Sequence, residues 1–168
     1  MQDIYDRARR IRLAAFDVDG VLTDGTLYYT DSGEKLKAFN VLDGHGMKML
    51  QESGVPLAIV SSRSSRCVEH RARNLGIELL IQGAADKSSA LDELLRRCGI
   101  DAGAVAYAGD DLVDLPVMRR CGLALTVPDA PAIVRHHAHY VTRARGGRGA
   151  AREMCDLILR ARGGAHPQ

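Results

Sequence analysis

Residues 13–25, LAAFDVDGVLTDG, set an apolar run against two aspartates one residue apart. The segment LAAFDV has the length and composition of a buried strand, so Asp17 and Asp19 fall where that strand ends. Two carboxylates this close repel each other, and without a compensating cation at least one is pushed toward its neutral form. Either something cationic lies between them or the pair is simply solvated.

Working outward, apolar runs of strand length alternate with helical patterns. TLYYT and KLKAF flank the turn signal DSGE, so residues 26–39 read as a hairpin. Residues 44–52 read as a helix, PLAIV as a buried strand, 64–75 as a helix, ELLIQ as a strand and 87–98 as a helix. AVAYAG is a strand, 112–121 a helix and LALTV a strand. HYVT suits a last edge strand, RGGRG a flexible glycine stretch, and 150–162 a closing helix. Strands that are apolar throughout, alternating with helices, predict an α/β fold with a parallel sheet covered on both faces. The whole chain, 1–168, reads as one domain, with a tail at 163–168 expected to be flexible.

Ligands of such sheets bind at the carboxyl ends of the strands. Asp17 and Asp19 follow the first strand. Ser61, Ser62 and Arg63 follow PLAIV, Lys87 follows ELLIQ after a short loop, and Asp110, Asp111 and Asp114 follow AVAYAG. Four strands thus deliver acids, hydroxyls and a lysine to one rim.

The 168 residues are 46% apolar and carry a formal net charge of +2, which gives no argument for nucleic acid or an anionic membrane. No apolar run reaches the roughly 18 residues of a membrane span, and the N-terminal stretch does not read as a signal peptide. Cys67, Cys98, Cys121 and Cys155 lack metal-site spacing and read as reduced thiols in or near a core, which fits a cytoplasmic protein. His136, His137 and His139 read as solvated residues on a short polar stretch after a proline.

DVDGVLTDG, the hydroxyl in IVSSR, the DK pair and GDDLVD, in that order, resemble the haloacid dehalogenase superfamily of phosphatases. GEKLKAFNVLDGHG, QGAADK and HYVTRARGGRGAAREMCDLIL resemble, more narrowly, the 3-deoxy-D-manno-octulosonate (KDO) 8-phosphate phosphatases, over nearly the whole chain. The resemblance implies a three-layer, doubly wound Rossmann-like core with the hairpin as a small flap and no cap domain. It implies a magnesium-dependent phosphatase of lipopolysaccharide synthesis, and a homotetramer whose hairpins meet and whose RGGRG segment approaches a neighbouring site.

Physical reasoning agrees with that chemistry. Asp17 would attack phosphorus and form an aspartyl-phosphate. Asp19 would protonate the departing sugar oxygen and then act as base for water. Like unit charges at about 4 Å cost about 4 kcal/mol at an effective dielectric near 20, more than a hydroxyl offsets. Mg2+ suits an all-oxygen site, with the Asp17 side chain, the Asp19 carbonyl and Asp110 as ligands. Asp111 and Asp114 would stand behind them or act through water. Lys87 and Ser61 would bind phosphoryl oxygens. Ser62 reads either as a pocket residue or as a helix N-cap.

By resemblance Asp19, Asn40, Val41, Leu42, Asp43, Gly44, Lys48, Arg63, Arg71 and Lys87 contact the sugar-acid phosphate, some across a subunit interface. Arginines suit its carboxylate. Ser61-Ser62 replaces the usual Thr-Gly, and Lys48 a common Arg. Another sugar-acid phosphatase, such as one for a nonulosonate 9-phosphate, is the alternative. A phosphoacceptor signalling domain is more distant, because its acceptor Asp would follow the third strand.

Overall fold

A computed structural model describes residues 2–163. The chain runs α1 (Gln2–Arg9), β1 (Leu13–Phe16), β2 (Tyr28–Thr30), β3 (Gly33–Leu36), α2 (Val41–Glu52), β4 (Leu57–Val60) and α3 (Arg66–Leu75). It continues with β5 (Leu79–Ile81), α4 (Lys87–Cys98), β6 (Val105–Ala108), α5 (Leu115–Met118), β7 (Leu123–Thr126), α6 (Ala132–His137), β8 (Tyr140–Val141) and α7 (Ala150–Ala161). Six strands form a parallel sheet in the order β5-β4-β1-β6-β7-β8. β1 lies inside it, with Phe16 level with Ile59 on one side and Ala108 on the other.

The four-residue strands β1, β4, β6 and β7 are buried at every position, as strands covered on both faces must be. One layer is made by α1, α2, α3 and α7, with α7 against α1 and α2; α4, α5 and α6 make the other. The sheet order reverses at β1, between β4 and β6. With right-handed crossovers, that reversal sends the two sets of helices to opposite faces and opens a crevice at the carboxyl end of β1.

Several elements differ from the sequence reading. α1 was not anticipated; its eight residues are largely polar, and it is held by packing on α7 and by Arg7 Nη1 donating to the Gly122 carbonyl at 3.1 Å. α2 starts at Val41 rather than 44, because the Asn40 side chain accepts from the Leu42 and Asp43 amides and caps it. α3 starts at Arg66 behind Ser65, so Ser62 is not its N-cap. The expected helix at 112–121 divides into a 3-10 turn, Leu112–Asp114, and the short α5, with Pro116 in its first turn. The hairpin pairs Tyr28–Thr30 with Gly33–Leu36 antiparallel and is shorter than 26–39.

Of the histidines, His136 is exposed as expected and His139 lies in the link from α6 to β8. His136 and His137 end α6, and His137 Nδ1 lies 2.8 Å from the Ile133 carbonyl oxygen. His139 is half-buried, its Nδ1 accepting from the Ala124 amide at 2.8 Å. The four cysteines are free, two of them buried. Residues 164–168 of the expected flexible tail lie outside the described residues.

RGGRG is packed rather than loose. A Cβ at Gly146 would stand 1.8 Å from the Gly20 carbonyl oxygen, and one at Gly147, where φ is +63°, 2.5 Å from the Thr23 carbonyl carbon. Gly147 also donates to the Val21 carbonyl at 3.0 Å. The glycines serve close backbone approach to the loop after β1, not mobility.

Candidate active site

Asp17 leaves β1 still bound to the sheet, its amide donating to the Ala108 carbonyl at 2.9 Å. Its carboxylate is buried, with Oδ1 accepting from the Val18 amide at 2.7 Å and Oδ2 meeting Lys87 Nζ at 2.7 Å. Beyond Asp19 the chain turns back. The Val21, Leu22 and Thr23 amides all donate to the Val18 carbonyl, and Thr23 Oγ1 accepts from the Gly20 and Gly25 amides. Gly20 takes φ +88°, and a Cβ there would lie 1.9 Å from Asp110 Oδ2. Only glycine lets the acidic loop after β6 come this close.

Asp114 organises the far side. It is fully buried; Oδ1 accepts from Lys87 Nζ and Tyr107 Oη, both at 2.7 Å, and Oδ2 from the Asp110 and Asp111 amides, both at 3.0 Å. Four donors fill the roughly four lone-pair sites of a carboxylate, so Asp114 builds the framework and leaves Asp17 and Asp110 to face a ligand. Asp111 is exposed and caps the 3-10 turn through the Leu112 amide at 2.7 Å.

Oxygens of Asp17, Asp110 and Asp114 lie within 4.8 Å of one another. Burial, with Asp114 nearby, pushes the Asp17 carboxyl up to about 6 despite Lys87. Burial and then the charges of Asp17, Asp114 and Asp111 push Asp110 up to about 7. Burial pulls the Lys87 ammonium down, but Asp17 and Asp114 outweigh it and hold it above its ordinary value. Three acids face one buried lysine, and the set has the donors, charge and spacing for a hard divalent cation.

A pocket of about 280 Å3 opens over this cluster, lined by Asp17, Asp19, Ser61, Arg63, Lys87 and Asp110, with Ser62 and Asp111 also on its wall. The buried Ser61 Oγ accepts from the Arg63 amide at 3.2 Å. Asp19 turns to the other side: Oδ1 meets Lys37 Nζ at 2.5 Å, and Oδ2 lies 3.8 Å from Arg63 Nε. Arg63 Nη1 in turn donates to Tyr29 Oη at 3.3 Å.

The second group of expected substrate contacts is not on this pocket wall. Both Asp43 oxygens accept amides at the start of α7, Arg152 at 2.8 Å and Gly149 at 3.3 Å. Arg71 donates to the Asn40 carbonyl at 2.9 Å and lies over the Phe39 ring at 5.6 Å; Gly44 packs beneath it. Val41, Leu42 and Lys48 face solvent. Sequence reading missed Tyr107 and Lys37. A tyrosine inside an alanine-rich buried strand was the available sign for the first, since its hydroxyl needs a partner. Nothing local marks Lys37, eighteen residues from Asp19.

A doubly wound parallel sheet with acids, a lysine and a hydroxyl at its carboxyl edge is the framework of a haloacid dehalogenase-like hydrolase, and residues 43–122 match that family's model. Over 159 residues the chain is 50% identical to 3-deoxy-D-manno-octulosonate 8-phosphate phosphatase of Yersinia pestis, covering 95% of this chain and 85% of the relative. A crystal structure of a probable YrbI family phosphatase from Pseudomonas syringae is 55% identical, with TM-score 0.96 and coverage of 98% and 93%. Another, the Moraxella catarrhalis 3-deoxy-D-manno-octulosonate 8-phosphate phosphatase with magnesium ion, phosphate ion and KDO, is 45% identical, with TM-score 0.94 and coverage of 97% and 94%. The chain belongs to the 3-deoxy-D-manno-octulosonate 8-phosphate phosphatase family.

Proposed function

We propose that this protein is a Mg2+-dependent phosphatase that hydrolyses 3-deoxy-D-manno-octulosonate 8-phosphate to 3-deoxy-D-manno-octulosonate and inorganic phosphate. The observation that carries the reading is the convergence of Asp17, Asp110, Asp114 and Lys87, from two strand ends and a helix start, on one site. Membership in a family with a Mg2+, phosphate and KDO complex supports the cation and the substrate.

Asp17 Oδ attacks phosphorus as the bond from phosphorus to the sugar oxygen breaks, and the Asp19 carboxyl gives its proton to that oxygen. Water then attacks the aspartyl-phosphate, Asp19 takes the water proton, and phosphate leaves with Asp17 restored. Asp17 and Asp110, with the Asp19 carbonyl, would hold Mg2+, which would supply positive charge where carboxylate and phosphate meet. Lys87 fixes Asp17 and faces the phosphoryl oxygens; Ser61 donates its hydroxyl to one of them. Arg63 on the pocket wall suits the sugar carboxylate.

Asn40, Val41, Leu42, Lys48 and Arg71 would complete the sugar site from a neighbouring subunit, with buried Asp43 and Gly44 supporting that segment from behind. Tyr28, Tyr29 and Leu36 on the hairpin are exposed, as are Val41 and Leu42; a homotetramer built on the hairpins would cover such apolar side chains. No helix among the described residues is long and apolar enough to cross a membrane. Four free thiols suit the reducing cytoplasm, where the product feeds lipopolysaccharide synthesis. Steady-state kinetics on a panel of sugar-acid phosphates tests the substrate: 3-deoxy-D-manno-octulosonate 8-phosphate should give the highest kcat/KM, and a nonulosonate 9-phosphate outrunning it would refute the assignment.

A further inference from the structure

Lys37 leaves the hairpin just after β3, yet its side chain is only 2% exposed, and its Nζ lies 2.5 Å from Asp19 Oδ1. Ordering a lysine stem this fully gives up most of the rotamer freedom a surface lysine keeps. The Asp19 side chain is 24% exposed, and its other oxygen stands 3.8 Å from Arg63 Nε, beyond hydrogen-bond reach. The hairpin around Lys37 is tied down on both legs. On the outgoing leg Tyr29 Oη receives Arg63 Nη1; on the return leg Phe39 packs against the core. Lys37, Asp19, Arg63 and Tyr29 thus form one polar chain between flap and pocket. Proton transfer needs its carboxyl placed to a fraction of an ångström, and a misplacement of about 1 Å can cost about 10²-fold in rate.

We infer that Lys37 is a positioning residue for Asp19: through it the hairpin flap fixes the carboxyl that protonates the departing sugar oxygen. It is absent from the lining of the pocket and acts through Asp19. The inference rests on the acid-base role given to Asp19 above, and the experiment separates the two.

Lys37→Met removes the ammonium and keeps the stem; Lys37→Gln is a second variant in case the first folds poorly. Asp19→Asn is measured beside them. Each is assayed with Mg2+ on 3-deoxy-D-manno-octulosonate 8-phosphate and on p-nitrophenyl phosphate, whose phenolate leaves without needing a proton. kcat/KM covers the steps up to departure of the alcohol, so a defect in proton delivery falls on the sugar phosphate alone. For Lys37→Met we expect kcat/KM on the sugar phosphate to fall about 10²-fold, with less than about threefold loss on the aryl ester and an unchanged Mg2+ affinity by calorimetry. Equal losses on both esters, or none on either, beside a selective loss in Asp19→Asn, would overturn the role of Lys37. Equal losses in Asp19→Asn itself would overturn the acid-base reading and the inference with it.

Discussion

Asp110→Asn should stabilise the metal-free protein in neutral solution, although it removes a residue placed to hold the cation. Without metal, Asp17, Asp110 and Asp114 face Lys87 as the buried counter-charge, and burial with the neighbouring carboxylates raises the Asp110 carboxyl from 3.8 to about 7. A carboxyl raised on folding contributes stability that is complete below its unfolded value and is lost as pH rises through its folded one. At about 1.4 kcal/mol per tenfold, the span from 3.8 to about 7 caps the loss near 4 kcal/mol. The group is partly exposed, and solvent screening trims this to roughly 2 kcal/mol. An asparagine carries no such loss. In a chain of this size roughly 2 kcal/mol corresponds to about 4–8 °C in Tm. Scanning calorimetry in chelator, at about pH 5 and about pH 8, should find the variant that much higher than wild type at the upper pH and ahead by less than half as much at the lower. The contrast between the two proteins cancels other titrating groups, His139 among them, which burial holds below its ordinary value. Adding Mg2+ at about pH 8 should raise wild type and not the variant. A variant that melts lower than wild type at about pH 8 without metal would refute the picture of an acid cluster short of positive charge.

Asp17→Asn should lower turnover of the sugar phosphate by more than about 10³-fold while circular dichroism shows the fold intact; retained phosphate release would exclude Asp17 as nucleophile. Tyr107→Phe removes one donor from the buried Asp114 carboxylate and should cost about 1.5–3 kcal/mol in urea unfolding; an unchanged midpoint would show that the remaining donors suffice. Gly146→Ala forces a methyl against the Gly20 carbonyl and should lower both Tm and kcat, whereas Gly103→Ala, with nothing within 4 Å, should change neither. Leu36→Glu on the exposed hairpin should convert the proposed homotetramer to smaller species in light scattering, and a mass equal to that of wild type would exclude the hairpin as the interface.

The order of strands and helices was legible in the sequence because fully buried strands are apolar throughout, and LAAF, LAIV, VAYA and LALT satisfy that without reference to partners. So was the rim that bears Asp17, Ser61, Lys87 and Asp110, since a parallel sheet aligns all its carboxyl ends on one edge. Those are local properties of the chain, repeated strand by strand. Other features depend on which segments meet. RGGRG has the composition of a loose linker, and only its closeness to Gly20 and Thr23 makes it rigid. Asp43 sits among expected sugar contacts, yet its oxygens cap a helix more than a hundred residues away. α1 has little apolar surface of its own and is stable where α7 covers it. Lys37 looks like any hairpin lysine until the fold lays its ammonium on Asp19. Periodicity and composition act over a few residues, while charge pairing and close backbone contact act through space, so the kit of residues was written in the chain and its arrangement was decided by the tertiary structure.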